Sequence, residues 1–216
     1  LMPFESNIVT SLEHTNQLME SSIVTSLDHR NQLMEWLGCT SEQLELLYRA
    51  SHDGWDASNF HEKCDNRGAT LTIIKSTGGY IFGGYISASW HSNNIKISSE
   101  EAFLFTLINH ANILPTKMDH KHDEYQAYGS SSYGPTFGGG HDIKVASNAN
   151  MNTDSFINIG NSYHCPSGIP YASRETFLTG SNNFQASEIE VYCVKNEVNV
   201  FSLENDLIHK YVLSTV

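Results

Sequence analysis

Residues with the types and spacing to do chemistry gather in four places. Gly138, Gly139 and Gly140 run directly into His141 and Asp142. Consecutive glycines permit positive φ and a close approach of backbone to a ligand, as an oxyanion or phosphate cradle requires. The Walker lysine and the dinucleotide glycine spacing are both missing, which removes the nucleotide fingerprints. His141 is the candidate catalytic base. Neighbours in a strand point to opposite faces, so Asp142 would not orient it. The orienting acid would be Glu188 or Glu190, and the nucleophile Ser132 or Cys64. No GxSxG elbow is present to hold a strained serine. The same glycines would serve equally well in a tight crossing loop between two sheets, with Gly138–Asp142 as a binding surface or as plain structure.

His120 and His122 stand two apart among Asp119, Asp123 and Glu124. On a strand the two rings share a face, which makes His120, His122 and Asp123 candidate zinc or copper ligands. A solvated loop is the competing reading. Asn148, Asn150, Asn152 and Asp154 alternate as calcium ligands do, but the central glycine and the closing bidentate glutamate are missing. Asx turns account for that spacing. Glu188 and Glu190 flank Ile189 in a strand whose alternate members, Ile189, Val191 and Cys193, are apolar. The two carboxylates therefore share the outward face and are candidate docking acids.

The elements that must position these groups are legible in part. Residues 6–20 and 21–35 form a tandem repeat that differs only at Asn7/Ser22, Glu13/Asp28 and Thr15/Arg30, so twelve of fifteen positions are identical. Each copy predicts an amphipathic helix. In the second, Ser26 is the expected N-cap, Leu27, Leu33, Met34 and Leu37 the apolar stripe, and Gly38 the stop. The first copy has no obvious place on the domain, and pairing through it would make a homodimer. A short helix is expected from Thr40 or Ser41 with Leu44, Leu46 and Leu47 inward, and another over 57–64 burying Phe60. The period then changes to two. Residues 70–75 and 80–85 flank Ser76-Thr77-Gly78-Gly79, a hairpin signature. Residues 102–109 satisfy the helical and the strand period alike; further strands are expected at 142–145, 155–158 and 188–194, with Trp55, Trp90 and Phe137 in the core. The pattern predicts an α+β fold, a two-sheet antiparallel sandwich with short helices at one end, preceded by an amphipathic helical segment. We divide the chain into an N-terminal segment (1–38), a domain (39–195) and an extension (196–216) that carries a further strand and helix.

Composition narrows the partners. Twelve Lys and Arg against 24 Asp and Glu give a net charge of −12, and such a surface repels phosphate backbones and anionic lipid, which excludes nucleic acid. No apolar run approaches the roughly 20 residues of a membrane span, and no signal peptide is expected. Cys39, Cys64, Cys165 and Cys193 form no CxxC pair, which speaks for reduced thiols rather than a disulfide framework.

Six signatures follow one another in fixed order: LLYRASHDGW (46–55), FHEKCDNRGATLTIIKS (60–76), GGYIFGGYISASW (78–90), EAFLFTLIN (101–109), SYGPTFGGGHDI (132–143) and FLTGSNNFQASEIEVY (177–192). Together they resemble the TLDc domain of the oxidation-resistance proteins. The resemblance implies the layered sandwich, a strand at 102–109 with which its Phe and Ile content agrees, a cytoplasmic, non-catalytic interaction module with no cofactor, and a link to oxidative-stress protection. It also implies a protein partner in the peripheral stalk of the vacuolar proton-pumping ATPase. A metal- or glycan-binding module and a hydrolase or peroxide-handling enzyme using His141 are the alternatives.

Overall fold

The computed structural model describes residues 17–122 and 125–195. The expected hairpin is present as β2 (Thr70–Ser76) and β3 (Ile81–Ile86), with Gly79 at φ 82° in the turn and its N–H on the Ser76 carbonyl at 2.9 Å. These strands seed a six-stranded sheet in the order β1 (Leu44–Arg49), β12 (Ala186–Val194), β2, β3, β5 (Ala102–Ile108), β6 (Thr116–Asp119). A second sheet runs β11 (Asn183–Phe184), β10 (Ser155–Ile157), β9 (Ile143–Ala146), β8 (Tyr133–Phe137), β7 (Ala127–Ser130), β4 (Asn93–Ile97). Every pairing within the sheets is antiparallel. The fold is the expected α+β two-sheet sandwich.

The core lies between the sheets. Ile74, Phe82, Leu104, Ile189 and Val191 of the first meet Phe137, Ile143, Val145 and Ile157 of the second. The sheets approach closely at Gly84, where a Cβ would lie 2.7 Å from Phe137 Cε1 and 2.8 Å from Leu104 Cδ2. A second apolar layer covers the outer face of the first sheet. There Leu18, Ile23, Val24 and Leu33 pack on Leu71, Ile73, Phe103, Phe105, Leu107 and Tyr192. The first sheet is thus buried on both faces, which is why β5 reads as a nearly continuous apolar run. The second sheet is not: the two apolar clusters of the described residues leave its outer face open.

The second repeat copy supplies that covering layer as α1 (Leu27–Leu37), closed by Gly38 at φ 64°. Leu33 is fully buried, but Leu27 is 61% exposed and leaves the expected stripe. Six residues turn an α-helix by about 600°, which places Leu27 about 240° away from Leu33. Ser26 occupies the N-cap without a side-chain cap bond. The last turn of the first copy, Gln17–Glu20, does have a place, since Leu18 is buried in the same layer. The rest of that copy, Asp123 and the expected strand and helix of 196–216 lie outside the described residues.

The helix expected after Thr40 is corrected. A capping box between Thr40 and Gln43 closes one 3-10 turn, and Leu44 then pairs with Val194 as the first residue of β1. A bulge between Leu46 and Tyr48 sends Leu44 and Leu46 to the outer layer and Leu47 and Tyr48 to the core. After β1 the chain forms α2 (Ala50–Asp53) and α3 (Ala57–Cys64). Asp56 caps α3 by accepting the Ser58 N–H at 2.9 Å, Phe60 is buried as expected, and Cys64 is buried with it. No helix among the described residues is long and apolar enough to cross a membrane.

Candidate functional site

The glycine run is a four-residue turn from β8 into β9. Gly138 N–H donates to the Gln126 carbonyl and Gly139 N–H to the Tyr125 carbonyl, both at 2.8 Å, and His141 N–H closes the turn on the Gly138 carbonyl at 3.0 Å. Gly138 has φ 85°, and any Cβ there would collide with Asp142 Oδ2. His141 adopts φ 60°, a conformation uncommon outside glycine, so it belongs to the turn rather than to a strand.

Asp142 faces inward, which removes it from the expected binding surface. Its Oδ1 accepts N–H bonds from Gly160 (2.9 Å), Asn161 (3.0 Å) and Tyr163 (3.4 Å), and its Oδ2 accepts that of Ser162 (2.8 Å). The carboxylate pins loop 160–163 over the start of β9. Burial outweighs these bonds and raises the Asp142 pKa above its ordinary value.

The His141 side chain turns outward onto the open face of the second sheet. Its ring lies 5.1 Å from that of Tyr128, 6.2 Å from Tyr133 and 6.3 Å from Phe156. Lys144 Nζ sits 4.7 Å over the Tyr133 ring and 4.8 Å over Phe156. Strand alternation explains the grouping: Ala127, Ile143, Val145 and Ile157 enter the core, and their neighbours Tyr128, Lys144 and Phe156 point the other way. Burial first, and the Lys144 ammonium second, hold the His141 pKa below its ordinary value.

Below this patch His61 fixes the β7–β8 connection. Its Nδ1 lies 2.7 Å from Asp65 Oδ1, and its Nε2 lies 2.7 Å from the Ser130 carbonyl and 3.0 Å from that of Tyr133. The i,i+4 His-Asp spacing on α3 was the available signal for this bridge, and the partner carbonyls were not foreseeable.

The expected triad is not assembled. Among the described residues no carboxylate or nucleophile bonds the His141 ring. Cys64 is buried in the core, and Glu188 and Glu190 belong to the other sheet. The face assigned to Glu190, opposite Ile189 and Val191, is the observed one, but the N-terminal segment covers it, so Glu190 is no docking acid. Its side chain is fully buried. Oε1 accepts Ser22 N–H and Oγ–H (both 2.9 Å) and Arg49 Nε–H (3.0 Å) and forms an ion pair with Arg49 Nη2 at 3.0 Å, and Oε2 accepts Ser21 Oγ–H (2.6 Å) and Tyr192 O–H (2.9 Å). Burial, then the Glu190 charge, push the Tyr192 pKa up and keep its phenol a donor. Glu188 is half-buried and accepts the Ser51 N–H at 3.1 Å.

His120 and His122 stack edge to face with ring centres 4.9 Å apart, at the rim of a cavity of about 520 Å³ also lined by Glu35, Trp36, Tyr85 and Asp119. Among the described residues no group of three or more His, Cys, Asp or Glu side chains is placed to hold a metal ion. Asn152 ties the Asn-rich loop to itself: its Oδ1 accepts the Asp154 N–H at 3.0 Å, and its amide donates to the Ser147 and Asn148 carbonyls.

Comparison with known proteins agrees with the layered geometry. The chain is 27% identical over 148 residues to the GTPase-activating protein skywalker of Drosophila melanogaster, covering 60% of this chain and 25% of that protein. It is 27% identical over 151 residues to the MTOR-associated protein MEAK7 of Gallus gallus, covering 69% and 31%, and 28% identical over 98 residues to MEAK7 of Danio rerio, covering 44% and 22%. The match spans less than a third of each relative's length. The model of the TLDc domain matches residues 14–195, which takes in both sheets and the covering segment, and the chain belongs to the TLDc domain family.

Proposed function

We propose that the chain is a non-catalytic protein-interaction module whose docking face is the open side of the second sheet, centred on Tyr128, Tyr133, His141 and Phe156. The carrying observation is the company His141 keeps: three aromatic rings and a lysine, with no acid or nucleophile bonded to it among the described residues. In a triad the imidazole is held in its tautomer and direction by a carboxylate and bonded to its nucleophile, and neither contact is made to His141 among the described residues. A cluster of half-exposed aromatics is instead the composition of a binding hot spot. Gly139 and Gly140 flank the patch, so its rim is backbone that a partner can approach closely.

The partner we favour comes from the family resemblance: a subunit of the peripheral stalk of the vacuolar proton-pumping ATPase, engaged in the cytoplasm. The net charge of −12 suits a basic patch on that partner, with electrostatics governing encounter and register more than affinity. Oxidative-stress protection would then be a consequence of that binding. The test is affinity capture of stalk subunits by the full chain and by Tyr128→Ala/Phe156→Ala. Recovery by the first and loss by the second supports the reading. Equal recovery by both would overturn the assigned face, and recovery by neither would overturn the partner.

A further inference from the structure

Every side chain of the second repeat copy that the domain fully buries is repeated in the first. Ser21, Ile23, Val24 and Leu33 are 6%, 2%, 0% and 0% exposed, and positions 6, 8, 9 and 18 hold the same four residues. The three differences between the copies fall at Ser22, Asp28 and Arg30, which are exposed or half-buried. The seat itself is well defined. Glu190 Oε2 receives the Ser21 hydroxyl, that hydroxyl in turn accepts the N–H groups of Ile23 (3.2 Å) and Val24 (2.9 Å), and the apolar layer over β2, β5 and β12 receives Ile23, Val24 and Leu33. The chain therefore carries the four buried side chains of this seat twice, and the copies differ in one donor to Glu190, the Ser22 hydroxyl against Asn7.

We propose that residues 6–20 are a reserve occupant of this seat, able to replace residues 21–35 within the same chain. In the exchanged register Ser6 takes the place of Ser21 on Glu190, Ile8 and Val9 replace Ile23 and Val24, and Leu18 moves into the position of Leu33. Residues 21–35 become a loop leading to Trp36. Loop closure grows only logarithmically with length, so a fifteen-residue loop is a modest obstacle. The tether holds the reserve copy at an effective concentration of the order of mM, which a separate chain rarely matches. That is why the occupant is this chain and not a second one.

Three observations make the second copy the resident. Arg30 Nε donates to the Val24 carbonyl at 2.8 Å, and the equivalent position in the first copy is Thr15. Leu18 already fills a place of its own in the layer, which the exchange would vacate. Trp36 follows the second copy directly and stacks on Phe105 with ring centres 6.2 Å apart. The exchange lets a partner take residues 21–35 as a displayed segment without leaving the apolar face of the first sheet bare.

Urea unfolding and hydrogen-exchange mass spectrometry on four full-length proteins test this: wild type, Ile8→Asp, Ile23→Asp and the double variant. Ile8→Asp alone should change the folding equilibrium less than about twofold. Ile23→Asp should stay folded and monomeric, and residues 6–20 should gain exchange protection. Adding Ile8→Asp to it should erase that protection and lower the folding equilibrium at least about tenfold further. Identical unfolding of Ile23→Asp and the double variant, or an equal effect of Ile8→Asp in both backgrounds, overturns the exchange. Folding of Ile23→Asp only as a concentration-dependent dimer overturns the choice of occupant. Ile23→Ala, read by the same exchange experiment, gives a milder displacement; no gain of protection there, or failure of both Ile23 variants to fold, refutes the proposal.

Discussion

Replacing Glu190 by Gln should loosen the N-terminal segment from the sandwich, and its size can be worked from the site. The carboxylate is fully buried, accepts five hydrogen bonds from Ser21, Ser22, Arg49 and Tyr192, and pairs with the Arg49 guanidinium at 3.0 Å. Gln keeps the shape and one acceptor oxygen but removes the charge and turns an NH2 group towards donors. Breaking a buried pair from one side typically costs about 3–5 kcal/mol, because the remaining charge is left uncompensated. Arg49 is 26% exposed, so water relieves part of that penalty. We expect a loss of about 2–4 kcal/mol in urea unfolding. In Arg49→Met/Glu190→Gln the two losses should not add, since removing the second partner also removes the stranded charge. Because Ser21, Ser22 and the Glu20 carbonyl all hang on this pair, trypsin should cut after Arg30 faster in Glu190→Gln. A loss below about 0.5 kcal/mol, the range of an ordinary surface change, with unchanged cutting at Arg30, would refute the reasoning.

Three more outcomes follow. Leu33→Ala should lose about 2–5 kcal/mol in chemical denaturation, whereas Leu27→Ala, 61% exposed, should stay within about 0.5 kcal/mol. The His141 pKa is lowered in the folded state, so its contribution is fully present above its ordinary pKa of about 6.5 and is lost as pH falls through the folded value; a stability titration of His141→Gln against wild type should show the two curves separating below that pH. All four cysteines are free, and burial raises each thiol pKa, Cys64 the furthest. A thiol reagent on native protein should therefore leave Cys64 unmodified and find four thiols after denaturation.

Local chemistry made the α3 helix and five of the strands legible, the hairpin pair β2 and β3 among them, each within two residues of its observed bounds, while β5 fitted either period and was a strand by the family resemblance. β1 was not, because Leu44, Leu46, Leu47 and Tyr48 serve two apolar layers through a bulge and so show no alternation. The strands β4, β6, β7, β8 and β11 are short or edge-placed and carry little periodic signal. Strand parity gave the direction of the Glu190 side chain but not its burial, since Ser21 and Ser22, nearly 170 residues away, cover it. The aromatic patch was hidden for the same reason. Tyr128, Tyr133, His141 and Phe156 come from four separate segments, and only the order β7-β8-β9-β10 brings them together. Asp142 was placed on the binding surface with the whole 138–142 segment although strand parity already set it apart from His141; its inward role depends on loop 160–163, which only the fold brings to it.

The most direct measurement is a binding isotherm between the purified chain and the purified peripheral stalk, run for wild type and for Tyr128→Ala/Phe156→Ala with folding checked by circular dichroism. Loss of a central aromatic from an interface removes about 2 kcal/mol or more, so the variant should bind at least about 30-fold more weakly with its fold intact. Equal affinity of the two proteins, or a wild type that does not bind while turning over an ester in a His141-dependent way, would contradict the account.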